Sequence, residues 1–281
     1  MASKRWPRIN FDKSKYKSID DIFNEVQDVK KFGRQLGLEF GNAFSKMSFS
    51  RERMYCWIYA SFKDELSSPL PSGDPCEFFG TDSKTAIKKA RELKKQGHDV
   101  HFRKESIVPN EDCPVSPELL ESHQFIRIED MLHEGFHLYH EKKGMCLPYN
   151  LEESLASYVG LKGAQEYLLK INGELTTYER NQLRNWIKFS NYIGRFYGIL
   201  ESFYKENKDI SKRDEIFKWA KREDPGLYES QKIINNAYFL RQIDYTRHFK
   251  LVHDMLEKVG LSNYLSSPSK TNKELLSKVE A

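Results

Sequence analysis

The stretch EDMLHEGFHLYHEKKG, residues 129–144, sets two histidines four apart, His133 and His137, with Glu134 beside the first. On an α-helix, positions four apart lie on one face a turn apart, so both imidazoles can point at a single metal ion. Glu134, one position round, falls at the edge of that face, within reach of a water on such an ion without being a ligand. The helix has its own signals: Phe125, Ile128, Leu132, Phe136 and Tyr139 form an apolar stripe, and Lys142, Lys143 and Gly144 suit its C-terminal turn.

A catalytic zinc takes three protein ligands and keeps one position open. Downstream, LPYNLEESLASYVG (147–160) offers Glu152 and Glu153 at the start of a second helix entered through Pro148. Glu153 shares its side with Ala156, Ser157 and Gly160, a small-residue face that lets this helix lie close to the first; Glu152 shares its side with Leu155 and Val159. The spacing therefore favours Glu153 as the third ligand. A competing reading makes Glu153 the N3 member of a capping box with Asn150 as N-cap. His123 and His140 lie near the motif without being counted as ligands. Given one zinc ion, bound water falls in pKa from about 15.7 toward about 7 and Glu134 serves as general base. Tyr245 and His248 are candidate donors to the oxyanion, with Tyr245 taken as catalytic beside Glu134.

Composition narrows the function classes. In 281 residues, 45 basic and 41 acidic side chains leave a net charge of only +4, too small and too scattered for a nucleic-acid surface. The densest basic run, KTAIKKARELKKQG (84–97), reads as the solvated face of an amphipathic helix. No stretch reaches the roughly 18–20 apolar residues of a membrane span, and MASKRWPRINFDKSKYKS at the start has no apolar segment behind its charges. A cytoplasmic protein without a signal peptide is expected. Cys56, Cys76, Cys113 and Cys146 are scattered with no CxxC pair, which suits free thiols, Cys146 packing in the loop between the two metal-binding segments.

Around this centre the chain reads as α+β and predominantly helical. Residues 1–110 hold a helix at 18–38, a strand RMYCWIYASF (53–62) buried on both sides, and a loop SSPLPSGDP (67–75). A helix from Asp82 or Ser83 to Gly97 follows, then a strand DVHFRKESIV (99–108) in which Val100 and Phe102 alternate with charges. Residues 111–281 have helical period, including long helices at 177–207 and 229–260 and a shorter one opened by Ser211 with Asp214 in a capping box. The tail SSPSKTNKELLSKVEA (266–281) is expected to be loosely held. The two parts are expected to form one compact unit with a cleft between them.

The run LHEGFHLYHEKKGMCLPYNLEESLASYVGLKG (132–163) resembles the zinc core of gluzincin peptidases, most closely the bacterial predicted aminopeptidase family, which pairs an HExxH helix with a downstream NESFA-type segment. VKKFGRQLGLEFGNAFSKM (29–47), MYCWIYASFKDEL (54–66), AIKKARELKKQGHDVHFRK (86–104) and IINNAYFLRQIDY (233–245) extend the likeness. The resemblance implies a zincin-like fold, one Zn2+ held by His133, His137 and Glu153, Glu134 as base, and a peptide or protein substrate. Asn235, Asn236 and Tyr245 match positions in that family's C-terminal helix. The chain departs from it in carrying Glu152 where Asn is common, and it has no GxMEN-like segment for a substrate amine, a part left open among Glu65, Glu77, Glu105 and Glu152. The expected activity is zinc-dependent peptide hydrolysis, as an aminopeptidase. The alternatives are an endopeptidase of the same class and a non-catalytic, zinc-stabilised peptide-binding module.

Overall fold

The computed structural model describes residues 12, 15–48, 54–105, 107–108, 112–206, 209–223 and 233–279. Strands β1 (Tyr55–Ser61), β2 (Cys76–Phe78) and β3 (Asp99–Glu105) form an antiparallel sheet in the order β2-β1-β3. Ile58 stands opposite Glu77 on one side and Phe102 on the other. Cys56, Ile58 and Ala60, with Val100, pack on Ala86, Ala90 and Leu93 of α2 (Ser83–Lys95), whose N-cap is Asp82. Alternation turns Trp57, Tyr59, His101, Arg103 and Glu105 to the opposite face. That face meets protein too: α8 (Asn236–Thr246) lies across it, with the Tyr238 ring 6.0 Å from that of His101. The strand β1 is thus covered on both sides, as its apolar makeup predicts. The three-residue β2 went unread because it is too short to show a period. Lys84, Lys88, Arg91 and Lys95 sit on the exposed face of α2, the solvated stripe expected there.

The rest is helical, so that 66% of the described residues are helix around one small sheet, a predominantly helical α+β protein. Helix α1 (Ile19–Leu36) opens on a capping box between Ser18 and Asp21 and stops at Gly37, whose φ of 102° only glycine adopts at low cost. It packs away from the sheet. Ile22, Val26 and Val29 join the main core with α3 (Pro117–Glu121), α4 (Gln124–Lys142) and α5 (Tyr149–Asn172). Arg127 of α4, 1% exposed as a side chain, donates to Glu25 Oε1 from Nε at 3.0 Å and Nη2 at 2.8 Å, and to the Tyr16 hydroxyl at 2.6 Å. Removing one partner of such a buried pair costs about 3–5 kcal/mol, because the other charge is left unpaired. A second core joins α6 (Thr177–Glu206), α7 (Arg213–Glu223) and α8 through Phe189, Ile193, Phe196, Phe217 and Phe239.

Three local expectations are corrected. The helix predicted over 229–260, whose residues 229–232 lie outside the described ones, is two helices, α8 and α9 (Phe249–Val259), broken at His248 with φ −109° and ψ 3°. No Gly or Pro marks the break; α8 packs on the sheet, α5 and α6, with Tyr238, Phe239 and Ile243 in the second core, whereas Phe249, Val252 and Leu256 of α9 are buried in the main core. Ser211 forms no capping box with Asp214: its N–H and hydroxyl donate to Asp209 Oδ1 at 3.1 and 2.6 Å, in a 3-10 turn over Ile210–Lys212 that precedes α7. The tail, whose residues 280–281 lie outside the described ones, is held: beyond α10 (Leu261–Ser266) it forms α11 (Pro268–Val279), which buries Leu275 completely and accepts the Tyr264 hydroxyl at Asn272 Oδ1, 3.0 Å.

Candidate metal centre

Helices α4 and α5 form an antiparallel hairpin turned at Gly144, whose φ of 59° is left-handed. The apolar stripe Phe125, Ile128, Leu132, Phe136 and Tyr139 is buried, fixing the rotation of α4 so that His133 and His137 face α5. On α5 the small-residue side permits a very close approach. A Cβ added to Gly160 falls 2.7 Å from the Glu129 carbonyl oxygen and 3.2 Å from the His133 Cβ. Gly160→Ala must therefore push α5 off α4 and carry Glu153 with it. The variant is expected to lose about 1–3 kcal/mol of stability and at least about tenfold in metal affinity, read by thermal melting and chelator competition. Unchanged values for both would refute the close approach.

The hairpin brings His133, His137 and Glu153 together. His133 Nε2 lies 3.3 Å from His137 Nε2, Glu153 Oε2 3.4 Å from His133 Nε2, and Glu153 Oε1 3.5 Å from His137 Nε2. Metal–ligand bonds of about 2.0–2.1 Å in a tetrahedron give ligand–ligand edges of about 3.3–3.4 Å. The two imidazole nitrogens already stand at that separation, with one oxygen of the Glu153 carboxylate near each, and the three residues are the group among the described residues able to hold a metal ion. The capping-box reading of Glu153 fails: α5 has Pro148 as N-cap and no side-chain cap, and the Glu153 carboxylate reaches across to α4. Cys146 lies outside the triad and, contrary to the packing expected of it, is exposed in the turn between α4 and α5.

Glu152 has a definite place that sequence reasoning left open. Its Oε1 lies 2.7 Å from His137 Nδ1 and its Oε2 3.1 Å from His140 Nδ1. In the neutral imidazole that binds a metal, a proton held at His137 Nδ1 by this carboxylate would leave the Nε2 lone pair facing Glu153 and His133, the arrangement by which an outer carboxylate orients a metal-binding imidazole. Burial raises the Glu152 carboxyl, but the hydrogen bonds from His137 and His140 prevail and bring it down to about 2. Burial likewise opposes ionisation of Glu153, yet the two imidazoles hold it far below its ordinary value. Burial lowers His133. His137 is held well above its usual range against burial by Glu153 and Glu152.

Through His133 the triad borders a cleft of about 700 Å³ between α4, β3 and α8. Glu134 lines it, with its Oε2 buried and lacking a hydrogen-bond partner, and burial pushes this carboxyl up to about 8. Tyr245 also lines it, its ring 6.3 Å from that of His133 and nearly parallel at 29°; burial, then Glu153 and Glu105, keep its hydroxyl protonated. His248 is not among the cleft residues and sits at the break between α8 and α9. Arg103 and Glu105, paired at 2.6 Å, reach the cleft from β3, and Arg103 also meets the Tyr245 hydroxyl. Their signal was the alternation in DVHFRKE, which puts both on the face opposite Val100. Glu129 and Asp130 line the wall beside His133, and Tyr238, Arg241 and Gln242 share the cleft face of α8 with Tyr245. Of the four glutamates left open for a substrate amine, Glu105 reaches the cleft but is paired, Glu152 serves the histidines, Glu65 accepts from Ser67, and Glu77 lies on β2.

Asn235 and Asn236 are structural. Asn235 Oδ1 caps α8 on the Tyr238 N–H at 3.0 Å. Asn236 is fully buried: its N–H donates to Asp99 Oδ2 at 3.1 Å, its amide to the Phe62 carbonyl at 2.9 Å, and it accepts the Tyr204 hydroxyl at 2.8 Å. These bonds clamp α8 onto the sheet and so position Tyr245. Among the described residues no helix is long and apolar enough to cross a membrane. Comparison of the chain with models of protein families, with curated proteins and with solved structures finds no match to any of them.

Proposed function

We propose that this protein is a zinc-dependent peptidase of gluzincin type. The observation that carries the reading is the His133–His137–Glu153 triad, its contacts 3.3–3.5 Å, with His133 and the buried, unpartnered Glu134 Oε2 lining one cleft. Two imidazoles and one carboxylate are a donor set suited to zinc. Bound there, zinc supplies a Lewis acid that polarises a carbonyl and acidifies water. Glu134 takes the proton at its carboxylate and returns it to the leaving amine; a pKa raised toward neutrality suits a group that must do both. The Tyr245 hydroxyl, kept protonated, donates to the developing oxyanion. Glu152 keeps His137 in the tautomer that presents Nε2.

The aminopeptidase form of this reading is supported by Glu129 and Asp130, carboxylates on the cleft wall beside His133 that can accept a substrate ammonium. The test is hydrolysis of unblocked and N-acetylated peptides before and after metal removal. About one zinc per chain is expected to copurify. Chelation is expected to abolish turnover, one equivalent of zinc to restore it, and the acetylated peptides to be spared. Turnover that survives complete metal removal defeats the reading; cleavage of acetylated peptides defeats its aminopeptidase form alone.

A further inference from the structure

Arg241 is 8% exposed, and it lines the same cleft as His133 of the metal triad. Its Nε is buried without a hydrogen-bond partner. Its contact is with the Tyr245 ring, 5.5 Å from its Cζ, one helical turn along α8. The other guanidinium of the cleft is different: Arg103 is neutralised by Glu105 at 2.6 Å. A guanidinium is always charged and presents a planar fork of N–H donors matched to a carboxylate. Taking it out of water without an anion is unfavourable, so a buried arginine with no carboxylate on it among the described residues is matched to an anion from elsewhere.

We infer that Arg241 is a specificity residue that receives a carboxylate of the bound peptide, either an Asp or Glu side chain or a free C-terminus. This deepens the peptidase reading and rests on it for the nature of the ligand. The position agrees: the Tyr245 ring lies 6.3 Å from that of His133 and 5.5 Å from Arg241 Cζ. The guanidinium is therefore no more than about four residues of extended peptide from the metal triad, at about 3.3 Å per residue. The carboxylates lining the cleft do not occupy that place: Glu105 is bound to Arg103, and neither Glu129, Asp130 nor Glu134 is ion-paired with Arg241.

The test is calorimetric binding to the full chain carrying Glu134→Gln and loaded with zinc, so that no turnover is needed. The probes are alanine hexapeptides in which Glu or Gln is placed at each position in turn, with the C-terminus free or amidated. At one position Glu is expected to bind about 10- to 100-fold more tightly than Gln, or the free C-terminus than the amide. Which arm carries the ratio identifies the source of the carboxylate. Adding Arg241→Gln is expected to bring the ratio to within twofold of unity, and Arg241→Lys to keep part of it, with zinc content reporting that each variant is folded. A ratio that survives Arg241→Gln, or peptides that all bind alike or not at all, overturns the proposal. Hydrolysis by the wild-type chain judges the peptidase reading separately.

Discussion

Glu134→Gln is expected to lower kcat by about 10²- to 10⁴-fold, the worth of a positioned general base, while each chain keeps its metal. Glutamine has the same shape and loses only the ability to take a proton. Glu134 lies outside the triad, whose three members supply the metal-facing atoms, so metal content should not move. The wild-type Oε2 has no hydrogen-bond partner to lose, and the neutral amide removes a buried carboxyl that burial already disfavours in its charged form. Stability should therefore hold or rise slightly. Steady-state kinetics with elemental analysis of the same sample makes the check. Near-wild-type turnover in a zinc-loaded variant would show that another group moves the proton.

The second large effect separates adjacent glutamates. Glu153→Ala removes one of three donors, and metal binding is expected to be lost on purification, with less than about a tenth of an equivalent retained. Glu152→Ala leaves the triad intact and removes the carboxylate at 2.7 Å from His137 Nδ1. Loss of such an orienting partner costs about 10- to 100-fold in metal affinity, so this variant should still bind zinc when it is supplied. Competition against a chelator of known affinity resolves the two. Equal losses would mean that the carboxylates share the ligand role, and a greater loss at Glu152 would reverse the assignment. Glu153→Gln, nearly isosteric, guards against a simple packing defect at this buried position.

Much of the centre was legible because it is local. The four-residue spacing of His133 and His137, the stripe from Phe125 to Tyr139, and the small face of Ala156, Ser157 and Gly160 are periodicities of single helices, and a helix repeats its geometry wherever it lies. The same logic marked out α1 within residues 18–38 and the buried character of β1. Arg103 and Glu105 were present in an alternating strand, yet a strand's polar face carries no mark of whether it meets water or a cleft.

What the sequence determined by itself was thus a helical pair with a candidate metal-binding side, a small sheet beside it, and Glu153 as the better candidate for third donor. Tertiary structure alone decided the remainder. The division of 229–260 into α8 and α9 follows from two cores pulling the ends of one segment in different directions, without a Gly or Pro to announce it. The burial of Leu275 beneath an apparently polar tail, and the bridge from Glu152 to His137 and His140, depend on which helix comes to rest against which. The same holds for the convergence of Glu134, Tyr245 and Arg241 on one cleft. Contacts between residues a hundred positions apart leave no periodicity in the chain; they arise only when packing has chosen the neighbours.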